Sequence, residues 1–462
     1  VEPPDPTTRR RRSTAESGVG AILLIDALAL LLVVASAPAA YLYLNASHPS
    51  PIVAAATAPA RPGSTAAANG SPEGGSSAPG GTPAARASVS PAPGQSPKLI
   101  VGDGTWAQVE QLPQAVWATA STVLRDGRVI VVGGATGESS FNAVASASIF
   151  DPATDRWSAV TAMLQPRAYA MAVTLADGSV LVAGGSRDGQ PLDTAERFYP
   201  GNGTWVSAGR LNLPRTQGTL TLLADGRVLA AGGGIEAAPG WSSTASTEIF
   251  DPKAGSWSIA APMEVERALH TATLLPDGRV LIAGGATTFH GDVGSVTAKT
   301  EIYDPRTNSW RPAADMSNPR YVHGAALLTD GRVLVAGGWY ATSNADPSHG
   351  TAEIYDPATD RWTATGSMAH ARAEYGLAKL PDGRVLATGG TDPAYAVQAG
   401  SELYDPATGL WQPTGDLAAG VMWPALQALP DGRVLIAGGG LDALATKATA
   451  VAEVYAPAPR RP

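Results

Sequence analysis

At 462 residues, the chain has room for two or three domains. Its formal charge is −8, so no basic stripe argues for nucleic acid as a partner. Cysteine is absent, which excludes disulfides, thiol catalysis and cysteine-ligated zinc and leaves the redox compartment open.

The first hundred residues stand apart. Arg9 to Arg12 form a basic cluster within residues 1–18, and an apolar run of 26 residues follows, Val19 to Leu44, with one charge, Asp26. That length spans a hydrocarbon core of about 30 Å with some tilt. Arginines precede the run and no Lys or Arg follows it until Arg61. This asymmetry orients the N-terminus to the cytoplasm and the remainder outside. The expectation is a single-pass protein of the cell membrane, with a cytoplasmic tail over 1–18 and a transmembrane helix, an uncleaved signal anchor, over 19–44. The alternative is a cleaved signal peptide and a secreted product, with Ala37-Pro-Ala39 near the cut. An apolar stretch longer than the usual signal core of about 7–15 residues favours the anchor. Asp26 is read as neutral, or served by water or headgroups; a contact with a second transmembrane helix is the sharper alternative.

Residues 45–100 are built from Ala, Pro, Ser, Gly and Thr, with almost no large apolar side chain. Such a linker cannot bury enough surface to offset its ordering entropy. As a flexible stalk it would span roughly 40 Å. Glycosylation sequons at Asn45, Asn69 and Asn202 are weak signals.

From about residue 101 a repeat of some fifty residues takes over. Its marker is a glycine pair: Gly133-Gly134, Gly184-Gly185, Gly232-Gly233, Gly284-Gly285, Gly337-Gly338, Gly389-Gly390 and Gly438-Gly439. An Asp-Gly dipeptide precedes each pair, from Asp126-Gly127 to Asp431-Gly432, between two short apolar runs. This predicts an antiparallel hairpin with a type I′ turn, both strands buried on both faces. About fifteen residues beyond each pair stands an aromatic at a turn, as in Glu248-Ile-Phe250-Asp-Pro. Pro and Asp suit the first positions of such a turn. A tryptophan follows: Trp157, Trp205, Trp257, Trp310, Trp362 and Trp411. The last copy ends at Tyr455 without its tryptophan, and an orphan Trp106 precedes the first. Joining the two ends closes an all-β propeller of seven four-stranded blades, with an N-terminal outer strand completing the last.

By glycine pair, aromatic and tryptophan in one register, residues 101–458, about three quarters of the chain, resemble the kelch-repeat β-propellers, particularly the galactose-oxidase-like bacterial kind. The resemblance implies that the connections into each first strand and the loops after the glycine pairs face ligand. Seventeen residues before each first glycine stand Val116, Arg167, Arg215, Arg267, Arg320, Arg372 and Val421. An anion-binding ring is one meaning of five arginines. Scaffold pairing with Glu196, Glu248, Glu301, Glu353, Glu402 and Glu453 is the other, and it explains both columns.

Three residues further on stand Thr119, Ala170, Gly218, His270, His323, Tyr375 and Pro424. His270 and His323 are weak metal candidates, because two histidines make an incomplete ligand set. The resemblance also raises copper. In galactose oxidase the site comes from a thioether-linked cysteine–tyrosine pair, a tyrosine–histidine pair in the last blade and a histidine of a C-terminal domain. The corresponding positions here hold Tyr169, Gln217 and Trp423-Pro424. Copper radical oxidase activity is therefore not expected, and no cofactor is.

No serine, histidine and aspartate spacing suggests a triad, and no separation can be read for Glu236, Glu374 and Asp392 on the same face. Aromatic residues outside the repeated positions are more informative. Trp117, Tyr169, Tyr321, Trp339, Tyr340, Tyr375 and Trp423, with Arg187, form the candidate ligand face. Such rings offer large contact area at low entropy cost. The alternative is that they plug the channel or pack between blades. The expected function is recognition of an extracellular glycan or protein by a monomer, without catalysis. The alternative is a galactose-oxidase-like or other sugar-processing enzyme, such as a sialic-acid mutarotase.

Overall fold

The computed structural model describes residues 104–137, 142–237, 240–287, 296–340, 350–442 and 446–459. The tail, the transmembrane span and the linker expected over 1–100 lie outside the described residues. Among the described residues no helix is long and apolar enough to cross a membrane.

Seven four-stranded antiparallel sheets form the blades of a closed ring. The inner strands are Ala120–Val123, Met171–Thr174, Thr219–Leu222, Thr271–Leu274, Gly324–Leu327, Gly376–Lys379 and Ala425–Ala428, each beside the next and the last beside the first. Thr105–Gln108 pairs with Ala452–Ala456 as the outer strand of blade seven, with Trp106 opposite Tyr455. The N-terminal strand thus closes the ring, as the orphan tryptophan requires. At the closure, the amide of Gln427 donates to the Ser121 carbonyl at 3.1 Å.

Two expectations need correction. Both concern the hairpin. The Asp-Gly turns are not type I′: Gly127 has φ of 89°, and Asp126 is not left-handed. Gly127 N donates to Leu124 O at 3.0 Å, and Leu124 N to Arg128 O at 2.7 Å. That is a three-residue loop, a type I turn closed by a left-handed glycine, which asks for one positive φ rather than two. The Asp126 carboxylate fixes it by accepting the Arg128 amide at 3.1 Å. The inner strands are also only half buried, because they line the axial channel; the second strands, such as Val280–Ala283, are fully buried.

The outer tryptophan lies directly across from the aromatic of the third strand in every blade, as with Phe250 opposite Trp257. Their ring centroids are 4.9–5.2 Å apart around the ring. Each pair packs on the preceding blade, Phe198 and Trp205 covering Ile130, Val132 and Ile149. The interior is therefore a series of apolar seams between blades.

The glycine pairs make the joint in these seams. The amide of the second glycine donates to a carbonyl of the next blade, Gly134 to Arg167 at 2.9 Å and Gly285 to Arg320 at 2.8 Å. The first glycine has φ of 59–69° in all seven copies. A Cβ on Gly284 would stand 2.4 Å from the Arg320 carbonyl oxygen. Both the left-handed backbone and the close approach demand glycine.

Candidate ligand site at the channel mouth

Two columns beside each joint build one end of the channel. The residue after the joint position is bridged to the residue after the glycine pair in each blade, as in Trp117–Ala135, Thr216–Gly234, Tyr321–Trp339, Ala373–Thr391 and Met422–Gly440. The residue after that is left-handed in all seven blades: Ala118, Tyr169, Gln217, Leu269, Val322, Glu374 and Trp423 have φ of 47–60°. None is glycine, so each costs roughly 1–2 kcal/mol of backbone strain. Six backbone hydrogen bonds of 2.8–3.3 Å offset it by joining consecutive members, from Tyr169 N donating to Ala118 O round to Trp423 N donating to Glu374 O. The result is a circle about the axis, one residue per blade, hydrogen-bonded from blade one round to blade seven.

Side chains break the symmetry of this circle. Blades three and four contribute Gln217 and Leu269 beside small residues. Blades five, six, seven, one and two contribute rings. Tyr169 meets Trp117 and Trp423 edge-on, each with centroids 5.6 Å apart. Trp339 packs against Tyr395 at 4.7 Å, and one apolar cluster joins them to Tyr321 and Trp423. Glu374, 5 % exposed, projects into this aromatic wall and accepts the Thr391 hydroxyl at 3.2 Å. Burial pushes its carboxyl up to about 7, against the Thr391 hydroxyl and the nearby indole N–H groups of Trp339 and Trp423, which favour the ionised form. Burial and the nearby Glu374 also push the Tyr169 and Tyr321 phenols up, so both stay protonated donors.

Five of the eight candidate residues meet at this mouth: Trp117, Tyr169, Tyr321, Trp339 and Trp423. Three do not. Tyr375 donates to the Ala336 carbonyl of the preceding blade at 2.6 Å. Tyr340 lies under the Arg320 guanidinium, 5.4 Å from ring centroid to cation, with its hydroxyl on Thr351. Arg187 sits on an exposed hairpin, paired with Asp188 at 3.3 Å. Asp392 is spent on a turn, accepting the Ala394 and Ala396 amides at 2.8 and 2.9 Å, and that turn carries Tyr395. Glu236 lies opposite Trp241 in a separate two-stranded hairpin. Tyr395 and the weight of Glu374 escape sequence reasoning, because their ring partners come from other blades, and Thr391 escapes it because only the fold sets it beside Glu374. A column taken two residues past the arginines would have found the circle.

The arginine column is scaffold. Five guanidinium groups are fully buried and pair with the glutamate of their own blade at 2.6–3.1 Å. Each also donates to the first glycine's carbonyl, as Arg267 does to Gly284 O at 2.7 Å. His270 and His323 face the Thr219 and Thr271 hydroxyls of the preceding blades at 3.1 and 3.0 Å. Burial and nearby arginines bring His270 down to about 3 and His323 well below its ordinary value, so both are neutral.

The copper of the galactose-oxidase-like fold does not fit these residues. Indole and proline at Trp423 and Pro424 offer no donor pair, and the Tyr169 phenol holds its proton. Among the described residues no three His, Cys, Asp or Glu side chains are grouped to hold a metal ion.

Comparison with known proteins agrees with this architecture. The Kelch motif family model matches residues 167–212, 220–264, 268–317 and 320–369, which are blades two to five. The chain is a kelch-repeat β-propeller. It is 31% identical to Kelch-like protein 15 of Danio rerio over 31% of this chain and 26% of that protein. Kelch-like protein 23 of Mus musculus is 27% identical over 59% of this chain and 45% of its own length. Kelch-like protein terF of Aspergillus terreus is 28% identical over 52% of this chain and 53% of its length. The chain thus spans about half or less of these relatives. Among solved structures, a fungal alcohol oxidase of the AA5 family in complex with copper superposes with a TM-score of 0.60 at 18% identity, covering 77% of this chain and 76% of that one. YjhT superposes at 0.51 and 15% identity, covering 63% of this chain and 95% of its own. These likenesses speak to the fold.

Proposed function

We propose that this propeller is a non-enzymatic recognition module that takes a glycan or protein ligand at the channel mouth. One observation carries the reading: the blades repeat one another in their charged and aromatic scaffold and diverge at the circle, where rings from blades two, five and seven surround Glu374. Buried aromatic anchors surrounded by a half-exposed rim are how recognition surfaces concentrate binding energy. The apolar run 19–44 would display the module outside the cell membrane, on the stalk of residues 45–100. The module works as a monomer in this proposal.

Screening the purified chain on glycan arrays and peptide libraries tests it. A ligand is expected whose affinity falls at least about tenfold in Trp423→Ala, with the β-sheet circular dichroism unchanged. Equal binding by Trp423→Ala and the parent would remove the channel mouth as the site. Resistance of the full chain to alkaline extraction from membranes tests the display; release into the wash would contradict it.

A further inference from the structure

Seven glutamates are buried among the described residues, and six of them belong to the scaffold column of the third strands. Five of those six face an arginine. The sixth, Glu453, accepts the Ala418 amide with both oxygens, at 3.1 and 3.3 Å. Glu374 alone belongs to the circle at the mouth. Among the described residues no Arg, Lys or His pairs with it, and the nearest arginine in sequence, Arg372, is engaged by Glu402 at 3.1 Å.

A buried carboxylate without a counter-ion is costly, and proteins ordinarily pair it. Here the surroundings are indole and phenol rings: Tyr169 of blade two, Tyr321 and Trp339 of blade five, Tyr395 of blade six and Trp423 of blade seven. Tyr169, Tyr321, Tyr395 and Trp423 are half-exposed, so the cluster is reached from the channel mouth. Aromatic faces attract a cation through their quadrupoles, most strongly when water is excluded. A carboxylate behind such faces adds the full charge that the rings lack.

Resting on the recognition reading above, we propose that the group entering the mouth is the methylated ammonium head of an organic cation, held by Glu374 and the rings of Trp339, Trp423, Tyr169 and Tyr321. A methylated head fits better than a primary amine. Its surface is apolar methyl, which matches ring faces, whereas a primary ammonium has three donors to satisfy and one carboxylate to take them. The cation also supplies the counter-ion that the fold withholds, so binding and ionisation of Glu374 favour one another.

Choline and its neutral isostere 3,3-dimethylbutan-1-ol differ in charge at nearly constant shape. Titrating each into the full chain, by calorimetry and by tryptophan fluorescence, isolates the proposal. Choline is expected to bind at least about tenfold more tightly than the isostere, the scale of a desolvated cation–π contact. Glu374→Gln is expected to lose most of that preference while its circular dichroism stays unchanged. Tetramethylammonium should compete with choline. Equal affinities, no binding of either compound at millimolar concentration, or an unchanged preference in Glu374→Gln would each overturn the proposal. A neutral library ligand whose binding is lost in Trp423→Ala would refute the cation and leave the recognition reading standing. Absence of any ligand would remove both.

Discussion

Blades two to six and the closing pair, blades seven and one, make the same joint with different chemistry. In blades two to six a buried arginine clasps its own blade's glutamate and the first glycine's carbonyl. Blade one has Val116 and Ser148 in those places, and blade seven has Val421 and Glu453. One closing blade has discarded the pair, and the other keeps half of it. Yet Gly390 donates to Val421 O at 2.7 Å and Gly439 to Val116 O at 2.8 Å, as the other glycines do to arginine carbonyls. The backbone joint is therefore the constant, and the charges are an addition to it. Burying an ion pair has a desolvation cost that offsets much of its attraction, so valine in a tight seam can replace one member when the other is also gone.

Several substitutions bear on this contrast. The largest effect is expected for Arg267→Ala, which strands Glu301 without its cation; a loss of about 3–5 kcal/mol in urea unfolding is expected. A loss below about 1 kcal/mol would mean that the clasps are idle.

Glu374 comes next, because it is buried without any clasp. Its carboxyl is raised in the fold, so the neutral acid is the favoured form. The stability it contributes is complete below the unfolded value near 4.5 and is lost as pH rises to about 7, a fall of about 3 kcal/mol. Glu374→Gln should flatten this part of the pH–stability curve. A parallel curve would refute the assignment. Burial raises Glu453 as well, so Glu453→Gln should act in the same direction at the closing blade.

Gly438→Ala should cost about 2 kcal/mol or more, since φ is 65° there and the new Cβ would stand 2.6 Å from the Val116 carbonyl oxygen. Thermal denaturation should show a loss similar to that of Gly284→Ala in a clasped blade. A much smaller loss would break the claim of a common joint. The smallest change is expected for Val421→Arg, which supplies the missing cation to Glu453; a gain near 1 kcal/mol, with weaker dependence on pH, would sharpen the comparison.

Much of the fold was legible because the scaffold repeats its side chains. Glycine pairs, tryptophans, and the Arg and Glu columns align by counting, and Trp106 announces the closure. The turn type was missed because Asp-Gly serves both a two-residue and a three-residue loop, and hydrogen-bond register decides between them. The circle at the mouth was illegible for a different reason. Ala118, Tyr169, Gln217, Leu269, Val322, Glu374 and Trp423 share a backbone angle and no chemistry. In sequence Glu374 is one of three carboxylates on the same face, but its surroundings come from blades two, five and seven, which sequence does not bring together. Tyr340 and Tyr375 carried the same aromatic signal as Trp423, and the fold turned them into the seams.

The division between repeated scaffold and irregular mouth can be tested with two tryptophans in one assay. Calorimetric titration of the best library ligand into Trp423→Ala and Trp257→Ala, alongside their melting temperatures, separates the two roles. Trp423→Ala should lose binding and keep its melting temperature, whereas Trp257→Ala should lose melting temperature and, below it, keep binding. Binding retained in Trp423→Ala would contradict the account.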